Sequence, residues 1–206
     1  ENLGRETMAP TYQDLLKNDQ DVKMFDYYFQ SEIVRISLAD QQVTALTGAN
    51  IYTGFSVSPN GQYLLVNSLK KPFSYLVPAY YFPSEITVLS TTDGSLVKQV
   101  HQRALVENIP WNRDDVMAGP RSFAWRDDEP ATLYWVEALD GGSAKKQTSE
   151  RDALFTLAAP FTGEPQRLFT SSYRIGGATW ATNTQALIHE GWWATRKSVV
   201  SLINPS

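Results

Sequence analysis

The chain of 206 residues contains no cysteine and only two histidines, and none of its apolar stretches is long. Zero cysteine excludes disulfides, thiolate nucleophiles and Cys-ligated metal, while leaving the compartment open. No run approaches the roughly 18 apolar residues that a membrane helix needs. Residues Glu1 to Glu6 have no apolar core, so no signal peptide is expected. The chain reads as soluble, with localisation unknown. It also lacks an initiator Met and so reads as part of something longer. The formal charge is −4, with 18 Lys and Arg against 22 Asp and Glu, which gives no electrostatic reason to expect nucleic acid or an anionic membrane as partner.

What is present is a recurring unit: a short β run, a tight turn and a second β run. It appears at Gly54–Val66, at Ser122–Trp135 and, degraded, at Ala178–Ile188. Phe55 and Phe123 are 68 residues apart, and Phe123 and Ala178 are 55 apart. Periods of about 40–50 residues stretched by insertions point to β-propeller blades. The fold class expected is therefore all-β, a partial β-propeller of about three to four blades of four-stranded antiparallel sheet. A short helical lead-in over residues 1–30 precedes a propeller portion over 31–206. Pro10 and Thr11 suit a helix start, and Val22, Phe25 and Phe29 share one face of a second short helix.

The blade strands are expected within 32–46 (an incomplete first blade), 53–100, 121–170 and 177–204. Ser58-Pro59-Asn60-Gly61 and Thr91-Thr92-Asp93-Gly94 are turn sequences, because Gly and Asn supply positive φ and Pro fixes it. Counting strands A to D outward from the propeller axis, the A–B and C–D turns are short. The B–C connections 70–84 and 139–152 and the D–A connection 101–120 are long. In an up-and-down blade these long connections emerge on one face, the expected binding side. Val57, Trp125 and Trp180 fall at matching A-strand positions and are expected to be buried. An incomplete ring exposes blade flanks, so self-association through open edges is expected. The rival is a monomer whose Phe25, Tyr28 and Phe29 fold over the flank.

Several segments together resemble one family. They are Thr11–Asn18 (TYQDLLKN), Lys71–Pro78 (KPFSYLVP), Trp125–Gly142 (WRDDEPATLYWVEALDGG), Ala159–Pro165 (APFTGEP) and Trp192–Arg196 (WWATR). In this order they resemble the N-terminal propeller of prolyl-oligopeptidase-family serine peptidases, in the glutamyl endopeptidase-like branch. The resemblance implies a parent with a C-terminal α/β-hydrolase domain carrying a Ser-Asp-His triad, covered by a propeller that restricts peptide access. This chain has no Gly-x-Ser-x-Gly nucleophile elbow, so no triad residue carries over. No catalytic residue, metal ligand or cofactor is expected here, and the chain alone is expected to be inactive. The implied partners are the hydrolase domain and the parent's peptide substrate. The alternative is a free-standing propeller-like scaffold that binds a protein or peptide on its long-loop face.

The residues with chemistry are few. His101 and His189 lack metal or triad spacing and read as ordinary hydrogen-bonded histidines. Asp127-Asp128-Glu129 falls at a turn and reads as solvated, as does Asp114-Asp115. Asp140–Lys146 lacks a phosphate-loop pattern and reads as a mobile hydrophilic loop. Lys70–Pro83 packs five aromatics and three prolines into a loop. Phe73, Tyr75, Tyr80 and Tyr81 there contact either a second domain or substrate, or else pack on a neighbouring blade. Trp192, Trp193 and Arg196 form a second mixed cluster. If the parent cleaves after acidic residues, as the resemblance implies, Arg121, Arg126 or Arg196 could meet the substrate carboxylate, since guanidinium binds carboxylate bidentately. The plain reading of each is an intramolecular ion pair.

Overall fold

The computed structural model describes residues 12–109 and 112–206. One helix, α1 (Asp19–Tyr28), precedes thirteen strands among these residues. A two-stranded hairpin comes first, β1 (Val34–Ile36) and β2 (Val43–Ala45). Blade I follows: β3 (Tyr52–Val57), β4 (Tyr63–Leu69), β5 (Ser84–Ser90) and β6 (Leu96–Arg103). Blade II is β7 (Gly119–Trp125), β8 (Thr132–Ala138), β9 (Asp152–Ala158) and β10 (Gln166–Ser171). Blade III has three strands, β11 (Arg174–Thr182), β12 (Gln185–Trp192) and β13 (Lys197–Ile203). Every pairing is antiparallel between sequence neighbours, the meander of a propeller blade, and the four sheets do not close a ring.

The cores lie between sheets, which is why a blade's middle strands are apolar on both faces. β4, β8 and β9 are nearly continuously buried. Leu65 and Val88 of blade I pack with Trp125, Leu133, Trp135, Leu157 and Phe161 of blade II. Val136 and Leu154 of blade II pack with Ile175, Trp180, Ala186 and Ile188 of blade III. Leu64 and Val66, from the other face of β4, pack with Ile33 and Leu46 around the β1–β2 hairpin. The short turns also tie blade to blade: the Asn60 N–H donates to the Pro130 carbonyl at 2.9 Å. Within the first turn the Ser58 hydroxyl accepts from the Tyr63 N–H and donates to Asn60 Oδ1.

Three sequence expectations fail here. Residues 12–17 are not helical, and Pro10 and Thr11 lie outside the described residues. The second expected helix does form, as α1, with the Asn18 side chain capping it by accepting from the N–H groups of Gln20 and Asp21. Its inward face uses Val22 and Phe25, whereas Phe29 is the C-cap and is exposed. Trp125 and Trp180 are 6% and 8% exposed, but Val57 is 52% exposed. The physical reason is that each A strand packs on the blade before it. Blade I has before it only the two-stranded β1–β2 hairpin, which covers Leu64 and Val66 but not Phe55 or Val57. Nor does the helix shield that flank. Phe25 packs edge-on against Phe73 and Phe82 at 5.1 and 5.9 Å, while Tyr28 and Phe29 stay exposed.

Candidate functional site

The long connections meet on one face. A cleft of about 790 Å³ is lined by Leu76 and Val77 from the loop after β4, by Val106–Ile109 and Asp115–Ala118 from the loop after β6, and by Gly141–Ser143 from the loop after β8. Backbone bonds lock these loops to one another. The Val106 N–H donates to the Tyr81 carbonyl at 3.1 Å, and the Val116 N–H to the Gly142 carbonyl at 2.9 Å. Ser74 donates to Glu107 Oε1, and the Ala144 N–H donates to Asp115 Oδ1. Gly142 is required here: its φ is +83°, and a Cβ would lie 2.1 Å from the Val116 carbonyl oxygen.

Segment 139–144 is therefore fixed rather than a mobile hydrophilic loop. Asp140 is 3% exposed and accepts from both Arg174 and Arg151, with the Arg174 bonds at 2.9 and 2.7 Å. Asp152 accepts from Arg174 and pairs with Arg121. Burial alone would raise the Asp140 carboxyl. The hydrogen bond and charge of Arg174, the Gly142 N–H and Arg151 outweigh it, holding Asp140 below the usual carboxylate range. Arg174 is likewise resisted by burial, yet Asp140 and Asp152 raise it. Trp192 lies under this network, 4.2 Å from the Arg151 guanidinium and 5.9 Å from that of Arg174. Asp114 is not a solvated loop residue either. It is 4% exposed and accepts from the N–H groups of Trp193 and Ala194 at 2.6 and 2.9 Å, tying the loop after β6 to blade III. Single-residue chemistry in the sequence gives no signal for this network, because its members lie up to 80 residues apart.

The aromatic loop splits into two layers. Phe73 stacks on buried Phe82 at 5.2 Å, and Tyr81 is half-buried. Burial first, then Tyr12 and Tyr80, push the Tyr81 hydroxyl up to about 12. Tyr75 and Tyr80 face outward, at 43% and 59% exposure. Tyr75 donates to Asp19 Oδ1 at 2.7 Å, so α1 braces the loop. The guanidiniums of Arg113 and Arg196 both lie against the Trp193 ring, at 4.4 and 3.8 Å. Trp192, Trp193 and Arg196 do come together, beside Lys197 and His189 on blade III.

The arginines separate. Arg121 lies between blades I and II. Arg126, at the opposite end of the same stretch, is buried in a bidentate pair with Asp128 and stacked 4.4 Å over Trp180. Asp128 is thus an ion-pair partner of Arg126 rather than a solvated turn residue. Among the described residues no three His, Cys, Asp or Glu side chains converge as a metal site. No described helix is long and apolar enough to cross a membrane.

With this geometry in place, comparison with known proteins is informative. No family model matches the chain. Two curated proteins, each named probable chloroplastic glutamyl endopeptidase, align over 197 residues. The one from Oryza sativa subsp. japonica is 40% identical over 95% of this chain and 21% of its own length. The one from Arabidopsis thaliana is 42% identical over 95% of this chain and 20% of its own. The resemblance to the glutamyl endopeptidases is thereby shown, and the chain spans about a fifth of the length of these relatives. Among solved structures, an acylaminoacyl peptidase in complex with Z-Gly-Gly-Phe-chloromethyl ketone superposes with a TM-score of 0.51 at 12% identity, over 86% of this chain and 28% of that one. The uncomplexed Pyrococcus horikoshii acylaminoacyl peptidase gives 0.50 at 13% identity, over 85% and 28%. At such identities the likeness is one of fold.

Proposed function

We propose that this chain is the non-catalytic propeller portion of a longer serine peptidase of the prolyl-oligopeptidase type, and that its long-loop face covers the hydrolase and limits which peptides reach it. The observation that carries this reading is the merging of the long connections into one braced surface with a cleft. A free-standing blade has no need to lock three loops together; a cover that must hold its shape against a second domain does. The homology to a fifth of two proteins named glutamyl endopeptidase supports a much longer parent. Tyr75, Leu76 and Tyr80 are the exposed apolar groups of the loop after β4 and are the proposed domain contacts. Trp193 with Arg196 is the proposed second contact.

The test begins with the coding sequence beyond Ser206. An α/β-hydrolase with its nucleophile elbow is expected, and a stop codon would favour the free-standing scaffold instead. In the full-length enzyme, replacing Tyr75 and Tyr80 by Ser should raise kcat/KM for long peptides more than for short ones. Equal effects on both lengths would remove the gating role.

A further inference from the structure

The net charge of −4 hides a separation of charge between the two ends of the blade stack. The short turns carry acids: Asp40 between β1 and β2, Asp93 between β5 and β6, Asp127, Asp128 and Glu129 between β7 and β8, and Glu164 between β9 and β10. Arg126 is the only cation in these turns, and it is paired with Asp128.

The opposite end, where the long connections gather, is basic beside blade III. Arg113 comes from the loop after β6, Lys145 and Lys146 from the loop after β8, and Arg196 and Lys197 from the connection between β12 and β13. All five are exposed, and none makes an ion pair among the described residues. The acids among them are occupied elsewhere. Asp114 accepts from the Trp193 and Ala194 N–H groups, and Asp115 from those of Asn112 and Ala144. Glu190 is buried and takes the hydroxyls of Ser171 and Ser201. The network beneath adds a third guanidinium to its two carboxylates, since Arg121 shares Asp152 with Arg174, and Arg174 shares Asp140 with Arg151.

The patch is held in place rather than left to fluctuate. Adjacent Asp114 and Asp115 tie the connection between β12 and β13 to the loop after β8. Arg196 takes φ +55°, a left-handed conformation costly for a residue with a Cβ, and its N–H donates to the Trp193 carbonyl at 3.0 Å. Its guanidinium and that of Arg113 lie against the Trp193 ring, and Lys197 Nζ lies 4.7 Å from the centre of the Tyr173 ring. Trp193 nevertheless remains 45% exposed. An exposed Trp framed by guanidiniums has the composition of a protein–protein hot spot.

We propose that this basic patch, centred on Trp193, docks on an acidic surface carried by the part of the parent chain outside these 206 residues. The inference rests on reading the chain as a cover, and it supplies the chemistry of that cover's second contact. This chain covers 21% and 20% of its two curated relatives, so a parent of that kind has the sequence to supply such a surface. Nucleic acid fits less well, because a long polyanion would also meet the acidic remainder of a chain whose net charge is −4. Opposite charges across a contact set its register, and exposed ones are screened by salt, so the docking is salt-sensitive.

Zero-length carbodiimide coupling in the full-length parent enzyme tests this, because the reagent joins a lysine amine only to a carboxylate in contact with it. The Lys71–Asp26 pair, 2.6 Å apart, is the internal standard. Lys145, Lys146 or Lys197 should couple to an Asp or Glu outside residues 1–206. Raising NaCl from about 50 mM to about 0.5 M should cut that yield at least about fivefold relative to the standard. Replacing Arg113 and Arg196 together by Glu should cut it at least about tenfold, with the standard unchanged. The proposal is overturned if none of the three lysines couples outside the chain while Lys71 couples to Asp26. It is equally overturned if the coupling is indifferent to salt, or if Arg113→Glu with Arg196→Glu leaves it intact. The cover reading is judged separately, by the Tyr75 and Tyr80 variants. Coupling without an effect of peptide length keeps this docking and removes the gating; the reverse result keeps the gating and removes this docking.

Discussion

The indole N–H of Trp125, on the innermost strand of blade II, donates to the backbone carbonyl of Ser56 on the innermost strand of blade I, at 3.1 Å. One side chain thus both fills the inter-blade core and fixes the distance between consecutive blades. Trp180 repeats the position one blade later, but its indole nitrogen has no partner among the described residues; the Arg126 guanidinium lies over its ring and Tyr134 meets it edge-on.

Replacing Trp125 or Trp180 by Ala should cost about 3–5 kcal/mol each, the range for deleting a buried aromatic. Val57→Ala, at the matching but uncovered position, should cost about 0.5 kcal/mol or less. Urea unfolding of the three variants checks this. Similar losses at all three sites would mean that the flank of blade I is covered in solution.

Asp140→Asn should destabilise the chain by about 3–5 kcal/mol, because it strips a buried ion network of one of its two carboxylates. The native Asp140 carboxyl sits below its ordinary value, so its contribution is present above the unfolded pKa of about 4 and is lost as pH falls through the lower folded pKa. Chemical denaturation across the acid range should therefore show a steeper loss for the native chain than for Asp140→Asn.

Gly142→Ala should loosen the long-loop face. The substitution combines a left-handed backbone with a Cβ driven into the Val116 carbonyl, a strain of about 1–3 kcal/mol. Hydrogen exchange at the Val116 amide should accelerate, while exchange in β8 and β9 should not.

His101 should titrate below the ordinary value of about 6.5, since burial and then Arg103 disfavour its charged form. Its neutral form is favoured by folding, so this contribution is present above the unfolded pKa and is lost as pH falls through the folded one. Arg103→Gln should raise the midpoint read by NMR. An unchanged midpoint would leave burial as the only cause.

Sedimentation equilibrium should show species heavier than 23.1 kDa as concentration rises. Val34, Ile36, Phe55 and Val57 at one end of the stack are exposed, as are Val200 and Leu202 at the other. A strictly monomeric chain at high concentration would show that these flanks do not pair.

The blade repeat was legible because it is local. Strand periodicity and the Ser58–Gly61 turn are enforced by neighbouring residues, and the apolar runs of β4, β8 and β9 announce strands buried on both faces. The second of the two expected helices is legible from Val22 and Phe25 on one face, and packing of Phe25 on Phe73 holds it as α1, whereas residues 12–17, expected to continue a first helix from Pro10-Thr11, are not helical. The one-face gathering of the long loops also followed from strand order alone. What the sequence could not disclose is which charges meet. Asp114, Asp140, Asp152 and Arg174 each look like ordinary polar loop or strand-end residues, and their pairing depends on how blades II and III approach in space. The same holds for Val57 and Trp125, alike in register and opposite in burial. Secondary structure is set by interactions a few residues long, whereas burial and ion pairing are set by which blade stands next door.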